Sequence, residues 1–302
     1  MTAPLHLDEH DRGLAYDLDT MRLLGRRRAL GLLGAGAGAA FLIGCGPEST
    51  VSSSSGSSAG ATSDTGTSTD TSSSGSGTSA ANSDSCTAYA METNGPYPAD
   101  GTNQSRGTTS NVLPIAAFQR RDLRSSVIAS NTIADGVEVS LTLTLVDVND
   151  DCAVLANHAV YLWHCDASGQ YSLYDLPAED YLRGVQVSDA NGQVTFTTIF
   201  PGCYAGRYPH IHFEVFSSLS NATSGRYAVL ISQLAMPAAT CTSVYSDIST
   251  YGSSAERFRN VSLSDDNVFG DNSDAQMVAM TPSFSGSTSA GYTLAATVGI
   301  AT

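Results

Sequence analysis

Apolar and polar side chains alternate along the second half of the chain. Val, Leu and their neighbours occupy every second position from Val137 to Leu145, with Glu, Ser and Thr between them. This period of two predicts a β-strand with one buried face. Further strand-like runs lie at 159–164, 194–199, 210–216, 226–234, 276–280 and 292–298. No window offers an amphipathic helix of normal length, and short strands with frequent turns predict an all-β protein built as a β-sandwich.

A tight turn is predicted between two of these short apolar runs. The sequence Asp-Ala-Asn-Gly at 189–192 separates the run 185–187 from the run 194–196. Asn-Gly and Asp are typical of the turns that join antiparallel strands. The two runs are therefore predicted to form a β-hairpin.

The N-terminal 45 residues have the organisation of an export signal. Arg26, Arg27 and Arg28 precede an apolar run at 29–43, which is followed by Gly44 and Cys45. The run is shorter than the roughly 20 residues that a membrane-spanning helix needs. The segment 42–45 resembles a lipoprotein box, and the arginine cluster resembles a twin-arginine signal. We expect an exported protein, on the periplasmic or extracellular face, that meets the membrane only through a lipid on Cys45; a secretory signal cut elsewhere and an uncleaved anchor are the alternatives.

The export signal is followed by a segment that cannot form a core. Residues 46–85 consist largely of Ser, Thr and Gly, which predicts a disordered linker. The remaining residues, 86–302, suffice for one domain. This domain contains five cysteines, Cys86, Cys152, Cys165, Cys203 and Cys241. In an oxidising compartment two disulfides and one free thiol are expected; pairing of Cys152 with Cys165 is disfavoured because they flank the strand predicted at 159–164.

The charge of the chain excludes one large class of partner. The formal net charge is −15, and all 14 basic residues are arginine. We therefore expect no basic surface patch that could bind phosphate groups, and we predict no role in nucleic-acid binding.

Two histidines on one predicted strand are candidate metal ligands. Strand alternation places His210, His212 and Glu214 on the face opposite Ile211, Phe213 and Val215. Two imidazoles at this spacing can bind one metal ion, although exposed histidines on strands are common. The Gly- and Pro-rich segment 201–209 directly upstream can fold a tyrosine and an arginine back towards them. A second tyrosine follows the strand-like run that ends near residue 164.

Several ordered motifs resemble a known enzyme family. The stretches WHCDASGQYS at 163–172 and YLRGVQVSDANGQVTFTTIFPGCYAGRYPHIHFEV at 181–215 closely resemble the intradiol ring-cleavage dioxygenases. They are most similar to the secreted branch that resembles the β subunit of protocatechuate 3,4-dioxygenase. The segment TNGPYPAD at 93–100 is similar to the family's N-terminal Gly-Pro-Tyr element. The resemblance covers 86–234 and implies a catalytic β-sandwich.

The resemblance also implies a set of site residues. Tyr171, Tyr204, His210 and His212 match the four ligands of ferric iron, Fe(3+), in the family. Free tyrosine has a pKa near 10, but a trivalent cation can displace the proton, and hard phenolate oxygens suit ferric iron better than zinc. Arg207 matches an arginine that stabilises negative charge on the ring, and Gln233 matches a glutamine that faces the substrate. The segment 95–97 matches the mouth of the pocket.

The resemblance implies that the substrate is a small aromatic diol of the catechol type, which reacts with O2. The ring opens between its two hydroxylated carbons to give a muconate-type diacid, and Tyr204 leaves the iron and accepts a substrate proton. Trp163, His158 and His164 are expected to be structural. Two alternatives are a surface lipoprotein that binds a ligand and carries a vestigial metal site, and a zinc hydrolase that uses the two histidines. The zinc hydrolase has no evident acidic third ligand and base in the same segment, although Glu214 lies on the right face. The sequence leaves the particular catechol and the oligomeric state open.

Overall fold

The computed structural model describes residues 87–105 and 108–301. The predicted export signal and linker, including Cys45, lie outside the described residues, and so does Cys86. Within the described part of the chain, no helix has the length and hydropathy needed to span a membrane.

The first sheet is built around the strand whose alternating pattern is clearest in the sequence. Its strands are β3 (Glu138–Asp147), β4 (Ala153–Val154), β7 (Gln193–Ile199), β10 (Ser283–Ser287) and β11 (Gly291–Ile300). The order is β10-β11-β3-β4, and β7 also pairs with β3. Strand β11 runs parallel to β3, whereas the other pairs are antiparallel. The central position of β3 explains why one complete side of it is apolar.

The second sheet carries the histidine motif. Its strands are β5 (Ala159–Trp163), β6 (Arg183–Val187), β8 (His210–Phe216) and β9 (Leu230–Ala235). They are antiparallel in the order β6-β5-β8-β9. The strand predicted at 226–234 begins later than expected, because Gly225–Tyr227 form a 3-10 turn. A separate short hairpin consists of β1 (Asp100–Ser105) and β2 (Thr108–Asn111).

The two sheets pack face to face, which confirms the predicted β-sandwich. Leu141 and Leu143 of β3 share one buried cluster with Ile211, Phe213 and Val215 of β8. The predicted alternation along β8 is therefore correct, and its histidines lie on the opposite face of the second sheet. That outer face is also buried.

The N-terminal segment of the described chain covers the outer face of the second sheet. Leu113 and Phe118 belong to one buried cluster with Tyr161 and Trp163 of β5. Trp163 is opposite His212 in the antiparallel register of β5 and β8. The polar face of β8 is consequently enclosed between the sheet and this segment.

Four short helices follow the second sheet in the chain. They are α1 (Ala238–Val244), α2 (Ile248–Tyr251), α3 (Ser254–Phe258) and α4 (Asp274–Met280). The strand predicted at 276–280 is wrong, because these residues belong to α4. The Ser273 hydroxyl accepts a hydrogen bond from the backbone N–H of Gln276, whose side chain accepts one from Ser273 N–H. This capping box marks the start of the helix. The five residues 276–280 alone are too few to distinguish the period of two of a strand from the period of 3.6 of a helix.

The predicted hairpin between β6 and β7 is also wrong. The turn forms as expected, with the Gly192 N–H donating to the Asp189 carbonyl at 2.9 Å. Its two strands nevertheless lie in different sheets, since β6 pairs with β5 and β7 pairs with β3. The turn therefore carries the chain from one layer of the sandwich to the other.

The cysteines differ from the expected two disulfides and one free thiol. Cys165, Cys203 and Cys241 are free and buried. Cys152 is disulfide-bonded. The expectation that Cys152 does not pair with Cys165 is confirmed.

The capping box of α4 gives a direct test of the helix that replaces the predicted strand. Ser273→Ala should lower the free energy of unfolding by about 1 kcal/mol, because it removes the acceptor for an N-terminal N–H group. Ser253→Ala is the matched control, since Ser253 precedes α3 and makes no side-chain cap. Urea unfolding of both variants checks this. Equal stability of the two variants would contradict the capping box.

Candidate functional site

The two histidines of β8 form the centre of the site. Both side chains are buried, and their Nε2 atoms lie 3.0 Å apart. His210 Nδ1 faces the carbonyl oxygen of Tyr208, to which it can only donate, so Nε2 of His210 carries a lone pair. Burial, with a contribution from Arg207, lowers the pKa of His210 to about 3. Burial and the neighbouring His210 lower the pKa of His212 well below its ordinary value. Both rings are therefore neutral, the form that binds metal ions.

Two tyrosines from separate loops meet these rings. The Tyr204 hydroxyl lies 3.1 Å from His210 Nε2. The Tyr171 ring centroid lies 5.7 Å from that of Tyr204 and 6.3 Å from that of His212. The Tyr171 hydroxyl is buried and makes no hydrogen bond to any described residue. The structure thus brings together all four side chains that the sequence singled out as candidate ligands.

The loops that carry Tyr171 and Tyr204 are positioned by close contact between their backbones. The Asp166 carboxylate accepts hydrogen bonds from the N–H groups of Ser168 and Gln170, which closes the turn before Tyr171. Gly202 packs directly on this turn, and a Cβ at Gly202 would lie 2.6 Å from the carbonyl oxygens of Asp166 and Ala167. Glycine is therefore required at this position for the loop that carries Tyr204 to contact the loop that carries Tyr171.

The environment of the phenols favours their neutral form unless a cation is present. Burial raises the pKa of Tyr204 well above 10, although the charge of Arg207 acts in the opposite direction. Burial and the Tyr204 phenol likewise raise the pKa of Tyr171. Ionisation of either phenol thus needs a positive charge stronger than that of Arg207 alone.

Aromatic and glycine residues enclose the four side chains. Trp163 stacks on the His212 ring at a centroid distance of 4.7 Å and an interplanar angle of 6°. Gly95 has a positive φ of 71°, and a Cβ there would lie 3.2 Å from His212 Cε1. The Tyr97 ring lies 5.0 Å from the Tyr171 ring. The segment 95–97 therefore covers the donor side chains.

Arg207 is buried beside the donor side chains rather than exposed as a loop charge. Only 2% of its surface is accessible. Its Nη2 donates to Gln233 Oε1 at 2.7 Å, so the arginine and glutamine singled out in the sequence are in direct contact. Gln233 lies opposite His212 in the register of β8 and β9, and its Nε2 donates to the Thr93 carbonyl at 3.1 Å. Gln233 thus joins Arg207 to the covering N-terminal segment.

Sequence reasoning missed Asp266, the residue that holds Arg207. Its Oδ2 accepts hydrogen bonds from Arg207 Nε at 2.9 Å and from the Tyr208 N–H at 2.7 Å. Its Oδ1 accepts from the N–H groups of Val268 and Phe269. Burial opposes ionisation of the Asp266 carboxyl, but Arg207 and these hydrogen bonds hold its pKa below the ordinary value. The sequence around Asp266 resembles an ordinary polar loop and gives no signal of this contact.

The other histidines and Glu214 lie outside the donor set. His164 bonds through both ring nitrogens, to the Cys165 carbonyl and to Thr198 Oγ1, each at 2.7 Å, so its predicted structural role is confirmed. Glu214 is buried near Asp100, and burial together with Asp100 raises its pKa. Among the described residues, no three or more His, Cys, Asp and Glu side chains gather in a way that could hold a metal ion. The part of the chain that the structure describes therefore offers the zinc hydrolase alternative no third ligand of these types.

Comparisons with known proteins agree with the fold. The family model described as Dioxygenase matches residues 124–236. An intradiol ring-cleavage dioxygenase from Tetranychus urticae is 26% identical, with 62% of this chain and 88% of that chain covered and a TM-score of 0.50. A second solved structure, described as a dioxygenase, is 24% identical, with coverage of 72% and 95% and a TM-score of 0.53, and supports the fold. No curated protein matches the sequence significantly.

The matched region contains all four candidate donors together with Arg207 and Gln233. The branch within the family stays a prediction. The family match and the similarity to the Tetranychus urticae enzyme support placing the chain in the intradiol ring-cleavage dioxygenase family.

Proposed function

We propose that the protein is an exported dioxygenase that uses ferric iron to open the ring of a catechol-type substrate. Cleavage would fall between the two hydroxylated carbons, and both atoms of O2 would enter a muconate-type diacid. The observation that carries the proposal is the convergence of two buried phenols, Tyr171 and Tyr204, on two buried neutral imidazoles, His210 and His212. This donor set is not needed for packing, because apolar residues would fill the same space at lower cost.

The donors fit ferric iron. The Tyr171 hydroxyl and His212 Nδ1 are buried without a hydrogen-bond partner in the described structure, and the Nε2 lone pair of His210 points at Tyr204 and His212. A cation among these groups would satisfy the Tyr171 oxygen and displace the phenol protons. When bound, ferric iron would supply the acidity that ionises phenols and the electronic coupling that lets an aromatic diol react with O2. Two phenolates suit such a hard trivalent ion.

The protein's own groups would handle the charge that develops on the substrate. Arg207 is a fixed cation, held on one side by Asp266 and on the other by Gln233. A preorganised charge in an enclosed site stabilises an anionic ring without reorganising solvent. Tyr204 is the group we assign to proton transfer: its hydroxyl is bonded to His210, and as a phenolate it can accept a proton from a substrate hydroxyl.

The enclosing residues would exclude water and orient the substrate. Trp163 and Tyr97 cover the ring faces of His212 and Tyr171. Gln233 presents its amide between Arg207 and the Thr93 carbonyl, at the edge of the covering segment. A flat aromatic diol is the kind of substrate that such an aromatic-walled site accepts.

The ligand assignment predicts different results for the four donors. His210→Ala or His212→Ala should reduce the iron content of the purified protein to near zero, because each removes a neutral ligand from a rigid strand. Tyr171→Phe should weaken the visible absorption of the iron protein. Tyr204→Phe should retain iron yet form diacid slowly, since the proton acceptor is lost. Metal analysis, visible spectra and product formation are measured together, with His158→Ala as the matched control. Parent spectra and rates in both tyrosine variants would contradict the assignment and favour a binding lipoprotein.

The contact between Arg207 and Asp266 predicts that Asp266 acts through Arg207. Arg207→Ala should retain iron but lower kcat on the order of 10²–10³. Asp266→Asn should also lower kcat. The double variant should be no slower than Arg207→Ala, because the two residues form one unit. Asp122→Asn is the control, since it breaks an exposed ion pair with Arg124. Additive effects of the two substitutions, or loss of iron in Arg207→Ala, would show that the arginine has a structural role.

The proposed export rests on the N-terminal sequence alone. Replacement of Arg26, Arg27 and Arg28 by Lys should retain the protein in the cytoplasm, because a twin-arginine signal distinguishes the two cations. Cys45→Ala should release the exported protein from the membrane. Fractionation of cells that express each variant tests both points. Normal export of the Lys variant, or unchanged membrane partitioning of the Cys45 variant, would overturn the corresponding part of the proposal.

A further inference from the structure

A second cavity lies next to the catalytic loop but does not include the donor set. It has a volume of 770 Å³ and is formed by α1, α2, α3 and the segment that follows them. Its apolar wall includes Tyr208, Tyr245, Phe258, Val261 and Leu263. None of the four candidate iron ligands lines it. A volume of this size is typical of sites that bind small organic molecules.

Two polar features distinguish this cavity from a simple gap in packing. Tyr208 is 97% buried, since only 3% of its surface is accessible, and its hydroxyl has no hydrogen-bond partner among the described residues. Arg259, which also lines the cavity, is exposed, and its side chain forms no ion pair or hydrogen bond with any described residue. An unpaired buried hydroxyl is unfavourable in a folded protein unless a ligand or water satisfies it. The cavity therefore offers one hydroxyl and one positive charge on an aromatic and aliphatic surface.

We propose that this cavity binds a small aryl carboxylate. The rings of Tyr208, Tyr245 and Phe258 can pack edge-to-face against an aromatic body. The guanidinium of Arg259 and the hydroxyl of Tyr208 are both donors, and a carboxylate accepts from both. The chain has a net charge of −15, so most of its surface repels anions. Arg259 provides a local positive charge that favours an anionic ligand in this cavity. A neutral or cationic ligand would leave this charge unused.

The cavity and the proposed iron site share Tyr208. The N–H of Tyr208 donates to Asp266 Oδ2, and its carbonyl oxygen accepts from His210 Nδ1. A ligand that contacts the Tyr208 side chain would therefore touch the residue that orients one candidate iron ligand. The binding proposal itself does not depend on ring cleavage, and it is tested by binding rather than by turnover.

Titration calorimetry of the purified, iron-loaded protein with 2-naphthoate tests the proposal. The carboxylate should bind about tenfold more tightly than the neutral 2-naphthalenemethanol, because only the acid pairs with Arg259. Arg259→Gln should remove that difference. Arg226→Gln is the matched control: it deletes the same charge from another exposed arginine, in the 3-10 turn Gly225–Tyr227, and should leave both affinities unchanged.

Two substitutions that fill the cavity locate the binding. Ala255→Phe and Thr242→Phe both place a ring in the cavity and should abolish binding of the acid and the alcohol, while iron content stays at the parent level. Thermal unfolding shows whether Ala255→Phe is unstable. If it is, Thr242→Phe, at an exposed position, still provides a folded variant. Binding that survives both substitutions would overturn the proposal, as would equal affinity for acid and alcohol in the parent protein. Absence of binding, with sedimentation showing a dimer that dissociates in Thr242→Phe, would assign the cavity to a second copy of the chain instead.

Discussion

The two Nε2 atoms of His210 and His212 lie 3.0 Å apart inside the protein, and the remainder of the site is arranged around this contact. Desolvation keeps both rings neutral, and the Tyr208 carbonyl fixes the tautomer of His210 so that its lone pair faces inward. Within this buried set, the Tyr171 hydroxyl and His212 Nδ1 have no hydrogen-bond partner in the described structure. The chemistry that we propose for the site follows from these unsatisfied groups, because a trivalent cation would ionise the phenols that burial otherwise keeps neutral.

The fold makes this arrangement by enclosing the outer face of the second sheet. A sandwich needs only one face of each sheet to be apolar, yet here the segment around Gly95 to Phe118 buries the other face of β8 as well. The region after β9 supplies Asp266, which anchors Arg207 and the Tyr208 backbone. The site therefore depends on three parts of the chain that are distant in sequence: the covering segment, the loops that carry the tyrosines, and the stretch around Asp266.

The sequence was sufficient where local pattern decides the structure. A period of two assigned β3 and β8 and placed the histidines on the face away from Ile211 and Phe213. The motif resemblance selected four donors that the structure brings together. Local pattern failed at α4, where a capping box overrides an ambiguous five-residue run, and at the turn 189–192, where strand pairing is decided by the rest of each sheet.

Long-range contacts between polar groups could not be read from the sequence. Arg207 and Asp266 are 59 positions apart, and an aspartate in a Ser- and Asp-rich loop looks like an exposed residue until its burial is known. The three buried free thiols illustrate the same point, since an odd cysteine count does not show which side chains meet.

The metal content and visible spectrum of the purified parent protein test the central claim most directly. The account predicts one ferric ion per chain and a coloured protein, because two tyrosinates bound to ferric iron absorb visible light by charge transfer. The colour should change when a catechol is added without O2, because the catechol oxygens would compete with the Tyr204 phenolate that would help to hold the ion. A colourless protein that binds zinc, or one that contains iron without a visible band, would contradict the account.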